Sequence, residues 1–322
     1  MTGTPEYRRA PRMFRGAAAA LALTALLAGC EAPPIAPVTS ERPAPRAEQP
    51  APQPSARSAA VAAHFARVQS DLLVRGLLRT DGGGPDTPYN ARDLAETFVR
   101  IALYDEYVSV GGQLIARETP APLRRWAAPV RVGLRFGDSV PAAQRARDRA
   151  MVAGYVARLA RTTGHPIRMS DTAPNYWVYV VGEDERPALG QTWADLFPGI
   201  EARDLAPVTE MPLSTFCIVL AISSGESPVY TGALAVIRSE LPDLMRRSCI
   251  HEELAQGMGL ANDSPRARPS IFNDDEEFAL LTSMDELMLK MLYDPRLRPG
   301  MREAEARPVI ATLAAGLLGG DS

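Results

Sequence analysis

Residues 250–260 read IHEELAQGMGL, and the register given to this stretch decides how the rest of the chain is read. Pro242 suits the first turn of a helix, and Gly257 and Gly259 are where such a helix stops. His251 followed by Glu252 has the form of a metal-binding helix, H-E-x-x-H, in which a second histidine follows one turn later. That place is held by Ala255. Moving the frame by one residue makes Glu252 the first position. Glu252 and Gln256 then share one face of the helix, one turn apart. The glycine beyond them lets the chain turn sharply.

In that frame residues 252–262 resemble the metzincin pattern H-E-x-x-H-x-x-G-x-x-H. Glu253 matches the general base and Gly259 the turning glycine. Glu252, Gln256 and Asn262 fall on the three histidine positions. The resemblance continues downstream. RPSIF (268–272) lies where matrixin-like members carry the Met-turn, and LTSMDELMLKMLYDPRL (281–297) is similar to their closing helix through Asp285, Leu292 and Tyr293. It covers about residues 130–297 and implies an α+β, zincin-like fold, a mixed sheet packed against two long helices, here behind a helical N-terminal preface.

The resemblance implies Glu252, Gln256 and Asn262 as the metal positions and Glu253 as the catalytic base of an active member. A carboxylate and two amides are a poor cradle for zinc, and an all-oxygen set suits calcium or magnesium better. The cofactor is therefore left open, with zinc disfavoured. His251, joined by His165, is the alternative register; the chain has 3 histidines in all, His64 being the other. The expectation is a non-catalytic domain whose cleft binds a peptide or an envelope protein. The alternative is a metal-dependent peptidase with unusual ligands and Glu253 as base.

Location is written more plainly than activity. Arg8, Arg9, Arg12 and Arg15 precede an apolar run over 17–27, too short for a membrane span of about 20 residues and suited to a secretory signal. The run ends in LLAGC (26–30), which resembles a bacterial lipobox and implies lipid on Cys30. Glu31 in place of aspartate after the cysteine favours the outer membrane, with the protein facing the periplasm. Cys217 and Cys249 remain as a pair in an oxidising compartment, either bridged or as two separate thiols. A bridge is worth roughly 3–4 kcal/mol on the loop-entropy model. The lipobox, FVRIALYDEY (98–107) and residues 251–301 together resemble a family of lipoproteins of Gram-negative bacteria recorded as a domain of unknown function.

The expected organisation is a signal peptide over 1–29, a Pro- and Ala-rich tether over 30–57 and one globular domain over 58–318. That domain divides into a helical preface (58–128), a metzincin-like part (129–298) and a helical tail (299–318). Helices are expected over 61–78, 91–107 (after the N-cap Asn90) and from Ser139 and Pro141 to about 163. Strands are expected at 130–136, 167–169, 177–181, 216–223 and 232–237, with a loop carrying Trp193. The net charge of −3 does not suggest a nucleic-acid surface, and the 46% apolar content is enough for a core. The acidic run 274–277 lacks the glycine and ligand alternation of a calcium loop. Gly82–Gly84 follow a helix rather than a strand, which argues against a phosphate loop.

Overall fold

A computed structural model describes residues 53–110, 113–196 and 202–319. The signal peptide, Cys30 and most of the tether lie outside the described residues. Helix α1 (Ala56–Val74) begins at Ser55, whose hydroxyl accepts the Ser58 amide at 3.1 Å. Helix α2 (Ala91–Ala102) opens with a reciprocal capping box between Asn90 and Asp93.

The expected continuation of that helix to residue 107 is not what forms. The chain leaves α2 at Leu103 and becomes strand β1 (Tyr104–Val110), paired antiparallel with β2 (Gln113–Pro120). YDEYVSV is rich in aromatic and β-branched residues, so its local preference is extended.

A short β3 (Arg125–Trp126) leads into β4 (Val130–Phe136) and helix α3 (Ala142–Thr163), which ends at Gly164 in the left-handed region. Then come β5 (Ile167–Met169), β6 (Tyr176–Val181), α4 (Leu189–Leu196), α5 (Ala202–Thr209), β7 (Cys217–Ser223) and β8 (Val229–Arg238). Helices α6 (Asp243–Gln256), α7 (Ser283–Leu292) and α8 (Glu303–Leu318) complete the described chain. Trp193, expected in a loop, lies on α4, because that face has a core to cover.

The fold is mixed α+β with a mostly parallel sheet. Strands β5, β4, β6 and β8 lie side by side and parallel, β3 pairs with the start of β8, and β7 runs antiparallel along β8. Period-two alternation assigns the two faces. Tyr176, Val178 and Val180 of β6, with Ala233, Ala235 and Ile237 of β8, join the main core. Trp177, Tyr179 and Val181, with Leu234 and Val236, pack under Trp193, Leu205 and Val208. Helices α3 and α6 share the main face, α3 through Val152, Tyr155 and Leu159 and α6 through Met245, Ile250 and Leu254.

A buried ion pair fastens these two helices. Arg246 Nε lies 3.0 and 2.9 Å from the two carboxylate oxygens of Asp148. Cys217 and Cys249 are bridged, with 5.8 Å between Cα atoms, so β7 is fastened to α6. Among the described residues, no helix is long and apolar enough to cross a membrane.

Candidate functional site

The end of α6 is locked in three places. The Tyr176 hydroxyl donates to the Glu253 carbonyl at 2.6 Å, Trp126 Nε1 to the Gly257 carbonyl at 2.8 Å and the Tyr293 hydroxyl to the Met258 carbonyl at 3.0 Å. Trp126 and Tyr293 satisfy carbonyls just past the last helical turn, and Tyr176 adds a second donor to the Glu253 carbonyl, which also accepts the Gly257 amide at 2.9 Å. Two glycines make this approach possible. A Cβ at Gly257 would collide with the Tyr176 hydroxyl, and one at Gly259, where φ is +124°, with the Arg124 carbonyl. The loop that follows is fastened to α7 by Asp285, which accepts from the Ser270 hydroxyl at 2.5 Å and from the Ile271 and Thr282 amides at 3.1 and 2.8 Å.

These joints frame a groove of about 960 Å³. Strand β7 forms one wall, Glu252, Glu253 and Gln256 of α6 line it, and Asp263 and Glu276 come from the loop beyond. Glu106 reaches it from β1. Arg124, the one basic residue among the described residues lining it, is ion-paired to Asp105. The Cys217–Cys249 bridge joins the β7 wall to α6 one turn before Glu252 and Glu253, and so sets the distance between them.

The groove is strongly acidic, with Glu253 buried and Glu252, Asp263 and Glu276 half-buried. Burial pushes the carboxyls of Glu252, Glu253 and Asp263 well above the usual carboxylate range, and their mutual repulsion and that of Glu106 act in the same direction. Glu276 is pushed up to about 7, by burial first and by Asp275 and Asp274 next. Glu253 is 3% exposed, and its buried Oε2 has no hydrogen-bond partner. Gln256 Nε2 donates to Asp263 Oδ1 at 3.1 Å.

The residues expected at metal positions are not all brought together. Glu252 and Gln256 do line the groove. Asn262 is 1% exposed and turns to α2 instead, where its side-chain amide donates to the Arg100 carbonyl at 2.8 Å and its backbone amide to the Ile101 carbonyl at 3.1 Å. It satisfies a helix C-terminus; Asp263 takes the place beside Gln256.

His251 belongs to the packing between α3 and α6. Its ring stacks on Tyr155 with 4.0 Å between centroids, and Nδ1 accepts the Leu281 amide at 3.1 Å. His165 lies elsewhere, with Nε2 2.9 Å from the Ala128 carbonyl and its ring against Tyr293. The histidine register is therefore not assembled. Among the described residues, no group of three or more His, Cys, Asp or Glu side chains could hold a metal ion. A carboxylate and an amide, with Asn262 turned away, do not fit zinc.

A family model matches residues 91–312, from the start of α2 into α8. The chain belongs to that family, described as Protein of unknown function (DUF2927). No curated protein and no solved structure matches the chain. The DUF2927 span includes the β1–β2 hairpin, the sheet and every residue named in the groove. Two groove residues were hidden in the sequence. Glu106 falls in a segment that looks like the end of a helix, and Glu276 sits in an acidic run that lacks the spacing of a calcium loop.

Proposed function

We propose that the DUF2927 chain is a lipoprotein held through Cys30 in the outer membrane and facing the periplasm. Its groove binds an extended peptide segment, free or part of an envelope protein, without cleaving it. The observation that carries this reading is β7. It is a strand paired on one side to β8 and lying along the groove, with no second ladder partner among the described residues. An extended segment can add to such an edge through main-chain hydrogen bonds, while alternate side chains enter the groove.

The zincin-like comparison is supported at the level of layout. A mixed sheet rests on two long helices, and a positive-φ glycine, Gly259, turns the chain just beyond the glutamate-bearing helix. Absence of catalysis is supported by the donor set, in which Asn262 is committed to α2 and His251 to Tyr155 and Leu281. The second reading, a hydrolase with Glu253 as general base, is favoured by the one feature it needs, a buried glutamate oxygen with no protein partner.

The test uses the purified full chain and the peptide acetyl-Thr-Val-Arg-Val-Thr-amide carrying a terminal benzophenone. Saturable binding with photo-adducts on residues 214–223 and an intact peptide supports the proposal. Cleavage that is lost in Glu253→Gln supports the hydrolase. Absence of saturable binding, or adducts only elsewhere, refutes both. Lipidation is tested apart, by metabolic labelling with an alkynyl fatty acid, which Cys30→Ser should abolish.

A further inference from the structure

We infer that the groove selects a basic side chain, the guanidinium of arginine or the ammonium of lysine, and holds it against Glu253, Glu252 and Asp263. This rests on the peptide-binding reading and adds to it the residue type that the peptide must carry. Carboxylates reach the groove from three separate segments: Glu106 on β1, Glu252 and Glu253 on α6, and Asp263 and Glu276 on the loop beyond. The groove-lining cation, Arg124, is ion-paired to Asp105.

An acidic cluster alone is not a site, and a second observation makes this one specific. Glu253 Oε2 is buried in the wall with no hydrogen-bond partner, in a protein where other buried carboxylates such as Asp148 and Asp285 are fully engaged. Leaving a buried acceptor unpaired is costly, and the cost is relieved when a donor arrives.

The shape of the cluster distinguishes an organic cation from a metal. A metal ion needs several donors converging at about 2.0–2.6 Å, and no described group of side chains offers that. A guanidinium presents five N–H donors across a plane, and an ammonium three on a flexible stem, so either can span carboxylates that do not converge. Phe216, Val219 and Ile271 also line the groove and offer apolar surface for the methylene stem. A segment laid along β7 meets this acidic wall across the width set by the Cys217–Cys249 bridge.

The test measures fluorescence anisotropy of the full chain with fluorescein-labelled Thr-Val-Xaa-Val-Thr, where Xaa is arginine, lysine, the neutral arginine isostere citrulline, or glutamate. Arginine and lysine peptides should bind about tenfold or more tighter than citrulline, the size of one charge-assisted hydrogen bond to a buried carboxylate. The glutamate peptide should bind weakest. Glu253→Gln should bring arginine and citrulline within about threefold of each other, a loss of most of that tenfold preference. Asp263→Asn, which keeps an acceptor for Gln256 at a half-buried position, should narrow the gap independently, so the test survives if Glu253→Gln does not fold. Equal binding of arginine and citrulline peptides overturns the inference and leaves the peptide reading standing. A preference that persists in both variants overturns the assignment to these residues. No binding by any peptide overturns both.

Discussion

His251 should make the protein acid-sensitive by a definable amount. It is 5% exposed, stacked on Tyr155, and its Nδ1 accepts the Leu281 amide. Protonation would set an N–H against that amide and put an unpaired charge into the core. Burial, with Arg247 and Arg158 adding repulsion, lowers its pKa from 6.5 to about 3. A histidine that is neutral when folded and protonated when unfolded contributes stability above pH 6.5, and that stability is lost as pH falls below it. With these two values the loss is about 0.2 kcal/mol at pH 7 and about 2 kcal/mol at pH 5.

The comparison is with His251→Asn, whose amide oxygen can still accept from Leu281. Urea unfolding of both proteins is followed by tryptophan fluorescence at pH 7, 6 and 5. At pH 7 the variant should be less stable by about 1–3 kcal/mol, from lost stacking and volume. By pH 5 the gap should shrink by about 2 kcal/mol. The groove carboxyls titrate in both proteins, with the opposite sign, and cancel in the difference. A gap unchanged between pH 7 and pH 5 would refute the reasoning, because His251 would then charge as readily folded as unfolded.

Three further outcomes follow from the groove and its frame. Glu253→Gln should stabilise the free protein by about 1–3 kcal/mol at pH 8 and less at pH 5. A carboxyl whose folded pKa is raised costs nothing below its unfolded value near 4.5 and progressively more above it, so a thermal melt that favours wild type at pH 8 contradicts the burial argument. Replacing Cys217 and Cys249 together by serine should cost roughly 3–4 kcal/mol in urea, since the bridge spans a sequence separation of 32 residues; an unchanged urea midpoint would contradict it. Gly259→Ala should cost about 3 kcal/mol, through positive φ and a clash with the Arg124 carbonyl. A melting temperature within a degree of wild type would show that the α6 end and β3 do not meet as described.

Much of the framework was legible from local signals. The strand 130–136 and the helix from Pro141 to Thr163 form as expected, because alternation, an N-terminal proline and a terminal glycine each act within a few residues. The stop of α6 at Gly257 was visible for the same reason. The hairpin after α2 and the helix under Trp193 were missed: the first because an amphipathic helix runs directly into a strand, the second because only the far face of the sheet explains it.

The sequence by itself determined the α+β class and most element positions, and it left the two distal cysteines open between a bridge and two separate thiols, which the structure resolves as a bridge. The class and the element positions depend on periodicity, on cap chemistry and on which residue types are present at all. Only the tertiary structure decided where the side chains in that stretch go. One-residue steps along a helix rotate a side chain by about 100°, so His251 meets Tyr155 and Leu281 while the next two residues, Glu252 and Glu253, line the groove. The packing of α3 draws His251 into the core, the end of α2 claims Asn262, and β1 delivers Glu106 from far along the chain. A motif frame specifies a spacing. Whether a side chain faces a ligand or a neighbouring helix depends on what is packed around it.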